Sequence, residues 1–146
     1  MEDEPNDVTL VQMEFNKASV NLRLRFVNDG REAIEYLEGA GKFSDRQRYP
    51  VPNVILLDLK MPRIGGFEFL QWLRNESAPN QRVIPVVIMS SSSQREDVDR
   101  AYALGANSYL VKPVDWPEFK ERIQALGIYW AWHSQTPEPP YGVVEK

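Results

Sequence analysis

Several residues of this chain combine reactive side chains with a shared position: each follows an apolar run. Asp58 ends Asn-Val-Ile-Leu-Leu-Asp, Ser90 follows Val-Ile-Pro-Val-Val-Ile-Met, and Lys112 follows Ser-Tyr-Leu-Val. Glu2 and Asp3 add carboxylates at the start of the sequence. Carboxylates, a hydroxyl and an ammonium group of this kind suit phosphoryl transfer to a carboxylate. Clustered carboxylates bind a hard, oxygen-preferring cation such as Mg2+. The cation offsets repulsion between Asp58 and an incoming phosphoryl group and neutralises charge in the transition state. Lys112 can pair with one phosphoryl oxygen and Ser90 can donate a hydrogen bond to another, while an aspartate can act as the nucleophile. Singly, each residue has an ordinary reading. A strand-end Asp is most often a cap, Lys-Pro a loop, Ser90 one of a run of serines, and an acidic start a solvated terminus. The joint placement carries the argument.

The elements that must position these groups follow from periodicity. In Val20–Val27, apolar Val20, Leu22, Leu24 and Phe26 alternate with Asn21, Arg23 and Arg25, the period of a half-exposed strand. Asn53–Asp58, Val83–Met89 and Ser108–Val111 are short, nearly continuous apolar runs, as expected of strands buried on both faces of a parallel sheet. Helical patterns lie between them: loosely over Asp7–Ala18, then from Asn28-Asp29-Gly30 to Gly39, after Gly65-Gly66, from about Gln94 to Leu104, and from about Trp116 to Trp132. Lys42–Pro52 reads as a loop, and His133–Lys146 as a proline-rich, irregular tail. This alternation predicts an α/β domain with a doubly wound parallel sheet, covering residues 1–132, with the tail at 133–146. In such sheets ligands bind beyond the carboxyl ends of the strands, where Asp58, Ser90 and Lys112 fall.

Composition narrows the function. With no cysteine, disulfides and thiolate metal sites are excluded, and His133 is the only histidine. A net charge of −4 argues against nucleic acid as a direct partner. No apolar run approaches the roughly 20 residues that span a bilayer. The acidic start lacks a signal peptide's apolar stretch. A cytoplasmic globular domain is expected.

At this point the sequence resembles a known family. Glu2-Asp3, Leu56–Glu68 (LLDLKMPRIGGFE), Val87–Ser91 (VIMSS) and Gly105–Pro113 (GANSYLVKP) resemble the receiver domain of bacterial response regulators, with its flavodoxin-like fold. The resemblance implies that Asp58 is the phosphoacceptor and that Mg2+ is bound by Asp3, Asp58 and the backbone carbonyl of Lys60. It assigns Glu2 a ligand role through a water. Ser90 becomes the switch hydroxyl, Lys112 the phosphoryl-binding cation, followed by a cis bond to Pro113, and Tyr109 the aromatic switch. The long Asp29–Pro52 stretch and the C-terminal segment are similar to small single-domain response regulators paired with bacterial phytochromes. This implies a sensor histidine kinase as phosphodonor, one of the phytochrome type included. It also implies a homodimer through the C-terminal helix, where Ile128, Tyr129, Trp130 and Trp132 form a dense apolar segment.

Function is then signalling by a phosphorylation-driven surface change, not enzymatic turnover. The alternative is a phosphorylation-independent interaction domain on the same fold. A phosphatase is disfavoured because Lys60 stands where such enzymes carry a second Asp. In one respect the sequence departs from the family. The apolar strand expected before Glu2-Asp3, between Val20–Val27 and Asn53–Asp58 in the sheet, is missing from the sequence. An internal start, a longer chain, or a rearranged or exchanged strand would each account for it.

Overall fold

The structure is a computed structural model that describes residues 23–60, 63–129 and 144–145. Glu2, Asp3 and the helix expected over Asp7–Ala18 lie outside the described residues. In chain order the elements are β1 (Arg23–Leu24), α1 (Gly30–Glu38), a 3-10 turn (Gly41–Phe43), β2 (Ile55–Leu57), α2 (Gly66–Asn75), β3 (Val86–Ser90), α3 (Arg95–Ala103), β4 (Ser108–Val111), α4 (Trp116–Ile128) and β5 (Val144–Glu145). The fold is the expected α/β arrangement around a parallel sheet.

Strands β2, β3 and β4 lie side by side in that order, all parallel, with Leu57 opposite Ile88 and Ser90 opposite Val111. Alternation along the strands divides the core in two. Ile55, Leu57, Val86 and Ile88 pack on one face with Ile34 and Leu37 of α1, Phe69, Leu70 and Leu73 of α2, and Ala101 of α3. Val54, Leu56, Val87 and Met89 face the other way, onto Phe119, Ile123 and Leu126 of α4, which share one helical stripe. Every residue of β2 and β3 is buried, which is why both read as unbroken apolar runs rather than alternating ones. Strand β3 begins only after Pro85, whose carbonyl receives the Ile55 amide at 3.0 Å but which has no N–H of its own to pair.

Strand β1 ends at Leu24, so Arg25–Val27 of the alternating pattern lie outside its ladder with a partner strand. That partner is β5: Arg23 pairs with Val144 and Leu24 with Glu145, in parallel. Strand β5 also contacts β2. A segment of the tail, expected to be irregular, thus pairs with β1 and lies against β2, whose own ladder is with β3. The Lys42–Pro52 stretch is more ordered than a polar loop suggests. Tyr36 donates its hydroxyl hydrogen to the Pro50 carbonyl at 2.9 Å, and Phe43 and Tyr49 pack against its ring. Arg46 donates to the Tyr36, Leu37 and Tyr49 carbonyls, closing the C-terminus of α1. Among the described residues no peptide bond is cis, so the Lys112–Pro113 bond is trans, against expectation. The ordinary preference of X–Pro for trans is not overridden here.

Candidate functional site

Three parallel strands in register deliver their carboxyl ends to one edge. Asp58 follows β2, Ser90 closes β3, and Lys112 follows β4. Lys112 reaches across the end of β3, and its Nζ lies 3.1 Å from Asp58 Oδ2. Both side chains are withdrawn from solvent, at 14% and 6% exposure. An ion pair this buried is not a surface ornament, because each charge has lost hydration that its partner helps to restore. The other carboxylate oxygen, Oδ1, accepts the backbone N–H of Lys60 at 3.0 Å. The Lys112 amide in turn donates to the Ser90 carbonyl at 2.7 Å, fixing where the lysine leaves the sheet.

Ser90 is fully buried, and its Oγ accepts the Ser92 amide at 3.2 Å. Ser92 continues the network: its hydroxyl donates to Asp97 Oδ2 at 2.5 Å, and its carbonyl receives the Tyr109 hydroxyl at 2.8 Å. The loop from β3 into α3 is therefore tied both to the first turn of α3 and to the ring of Tyr109 on β4. Tyr109 is partly buried against the core. A polar hollow lined by Lys60, the serines 91–93, Gln94 and Asp97 opens beside this loop.

After Asp58 the chain must turn back into α2, and glycine makes the turn possible. A Cβ on Gly66 would stand 2.5 Å from the Asp58 carbonyl oxygen, and the Gly66 amide donates to the Leu59 carbonyl at 3.2 Å. Of the expected site residues, Asp58, Lys60, Ser90, Tyr109 and Lys112 come together at one edge. Glu2 and Asp3 lie outside the described residues. The Asp58 carboxylate and the Lys60 backbone carbonyl are hard oxygen donors of the kind that Mg2+ prefers. Among the described residues, no group of at least three acidic, histidine or cysteine side chains is placed to hold a metal by itself. Sequence reasoning missed Ser92 and Asp97, whose roles come from loop geometry, and the pairing of Asp29 with Arg63, which no local signal announces.

The family described as the response regulator receiver domain matches residues 1–124. The response regulator Rcp1 of a Synechocystis strain is 31% identical over 130 residues, 89% of this chain and 85% of that protein. The crystal structure of the Mn(2+)-bound form of Rcp1 superposes with a TM-score of 0.85 at 30% identity, covering 94% of this chain and 96% of that one. A phosphorylated cyanobacterial phytochrome response regulator, RcpA, superposes equally well (TM-score 0.85, 29% identity, 94% and 95% coverage). Among the described residues no helix is long and apolar enough to cross a membrane.

Proposed function

We propose a mechanism from a plain premise: the chain belongs to the response regulator receiver domain family, the signalling modules of two-component phosphorelays, and is akin to those associated with phytochromes. Within that family role, Asp58 is the phosphoacceptor. A carboxylate oxygen of Asp58 forms a bond to phosphorus as the bond from phosphorus to the imidazole nitrogen of the kinase's phosphohistidine breaks, and the imidazole leaves. Lys112 moves from the carboxylate to a phosphoryl oxygen, so that its charge stays paired throughout. Ser90 turns its hydroxyl toward another phosphoryl oxygen. Asp58 and the Lys60 carbonyl, with Asp3 and Glu2, would hold Mg2+, which when bound supplies positive charge against the transferring group. The single observation that carries this reading is the buried Lys112–Asp58 pair at 3.1 Å.

The output is a population shift. Ser90 and Tyr109 both bond within the loop that leads into α3, at Ser92. Withdrawing Ser90 toward a phosphoryl group changes that loop and favours a different setting of Tyr109. Partner choice follows the same reasoning: a sensor histidine kinase, of the phytochrome type, acting in the cytoplasm. A groove between β4 and α4, lined by Ser108, Leu110, Arg122, Leu126 and Tyr129, supports a homodimer through the C-terminal helix. The net charge of −4 gives no support to nucleic-acid binding.

Incubation of the chain with Mg2+ and acetyl phosphate, read by intact mass, tests the chemistry. One added phosphoryl group that is absent from Asp58→Asn is the expected result. Equal labelling of Asp58→Asn overturns it, and no labelling of either favours a phosphorylation-independent interaction domain.

A further inference from the structure

The Asp58 loop is held from outside as well as from within. Its distal part, Arg63-Ile64, abuts the N-terminus of α1, which begins 34 residues earlier in the chain at the level of Asp29. The Gly30 amide donates to the Ile64 carbonyl at 3.2 Å, and a Cβ on Gly30 would stand 2.5 Å from that same oxygen. Next to this contact, Arg63 Nε and Nη2 both donate to Asp29 Oδ2, at 2.8 and 2.5 Å. Asp29 is 5% exposed. Its other oxygen, Oδ1, accepts the Glu32 amide at 2.9 Å as the cap of α1. One carboxylate therefore closes a helix and anchors a loop.

Arg63 sits in the left-handed region, at φ 62°. A residue with a Cβ seldom adopts this conformation, and the hydrogen bonds to Asp29 help to hold it there. The Arg63 side chain is 63% exposed. Its Coulombic attraction is accordingly screened, and what the pair contributes is mainly direction. Lys60, whose amide holds Asp58 Oδ1, precedes Arg63 in sequence on the same connection from β2 to α2.

We propose that Asp29 and Arg63 form a clasp that positions the loop after Asp58, and through Lys60 sets the cation affinity of the phosphoacceptor site. They are positioning residues and touch neither cation nor phosphoryl group. The inference rests on the reading of Asp58 given above, but the clasp itself can be tested apart from it. Arg63→Gly suits the left-handed backbone and removes the guanidinium. Asp29→Asn keeps a good helix cap and removes the charge. Both should remain folded, Asp29→Asn with a urea midpoint modestly below the parent's because the charge on the cap is gone. Arg95→Ala, which breaks the exposed Arg95–Asp99 pair on α3, serves as the control.

Two readouts decide. In the metal-free chain, amide exchange at Lys60 should rise several-fold in either variant and stay unchanged in the control. Mn2+ affinity should weaken three- to tenfold in either variant, and no further in the double variant, because both remove one contact. Acetyl phosphate labelling should slow at limiting Mn2+ and recover at saturating Mn2+. Lys60 exchange and Mn2+ affinity that stay within twofold of the parent overturn the proposal. Changed exchange in a chain that Asp58 never labels would retire the phosphoacceptor reading and leave the clasp standing.

Discussion

Replacing Lys112 with Met removes the ammonium and keeps much of the chain's volume, so it isolates the charge. In the parent, Asp58 Oδ2 faces that ammonium at 3.1 Å, with 14% and 6% of the two side chains exposed. After the change, Asp58 keeps only the Lys60 amide of its described polar contacts. Removing one partner of a buried pair costs about 3–5 kcal/mol. The retained amide places Lys112→Met toward the lower end, near 3 kcal/mol, which for a domain of this size lowers Tm by about 6–12 °C. The penalty belongs to the abandoned carboxylate and not to a missing lysine. Asp58→Asn combined with Lys112→Met should therefore recover part of it, with a coupling of about 1–3 kcal/mol. Millimolar Mg2+ should shrink the Lys112→Met penalty too, by giving Asp58 another positive neighbour. Urea titrations of the parent, both single variants and the double variant, with and without Mg2+, complete the cycle. Strict additivity, or a Lys112→Met cost below about 1 kcal/mol, would refute the claim that the two charges depend on each other.

The buried hydroxyl of Tyr36 predicts an alkaline transition. Burial, only partly countered by Arg25 and Arg46, pushes it from 10.0 up to about 12. Its contribution is complete below pH 10 and is lost as pH rises through 12, at no more than about 1.4 kcal/mol per pH unit. Tyr36→Phe should flatten the fall in urea midpoint over that window, and an unchanged slope counts against the reading. Asp29 predicts the acid side. Burial raises its carboxyl, but the Glu32 amide and the Arg63 guanidinium outweigh this, and it lies below the ordinary 3.8. Its stabilisation is present above about pH 4 and disappears as pH falls through the lowered value, so Asp29→Asn should blunt acid unfolding below pH 4. Gly66→Ala places a methyl 2.5 Å from the Asp58 carbonyl oxygen. It should cost about 1–3 kcal/mol or more in urea unfolding and slow Asp58 labelling, whereas a neutral result would show the turn to be loose.

What could be read from the residues and what could not differ in physical kind. Asp58, Ser90 and Lys112 were legible because parallel strands in register convert three separate sequence positions into one edge. An apolar run of buried strand ends abruptly, and the next polar side chain is the marker. A doubly wound sheet followed from the alternation of strands and helices, whereas the stripe of Phe119, Ile123 and Leu126 that covers one face emerges from the structure. The clasp was not, because the left-handed backbone at Arg63 is disguised by a residue type that does not signal it, and its partner lies 34 positions away. Order in the Lys42–Pro52 stretch was hidden likewise: Arg46 and Tyr36 bond to backbone carbonyls, which every residue carries and no sequence pattern displays. Strand β5 shows the limit of periodicity. Val144–Glu145 is too short to alternate, and nothing in two residues distinguishes a strand from a tail. It is a strand because it pairs with β1, far off in the sequence, and that pairing is visible only in three dimensions.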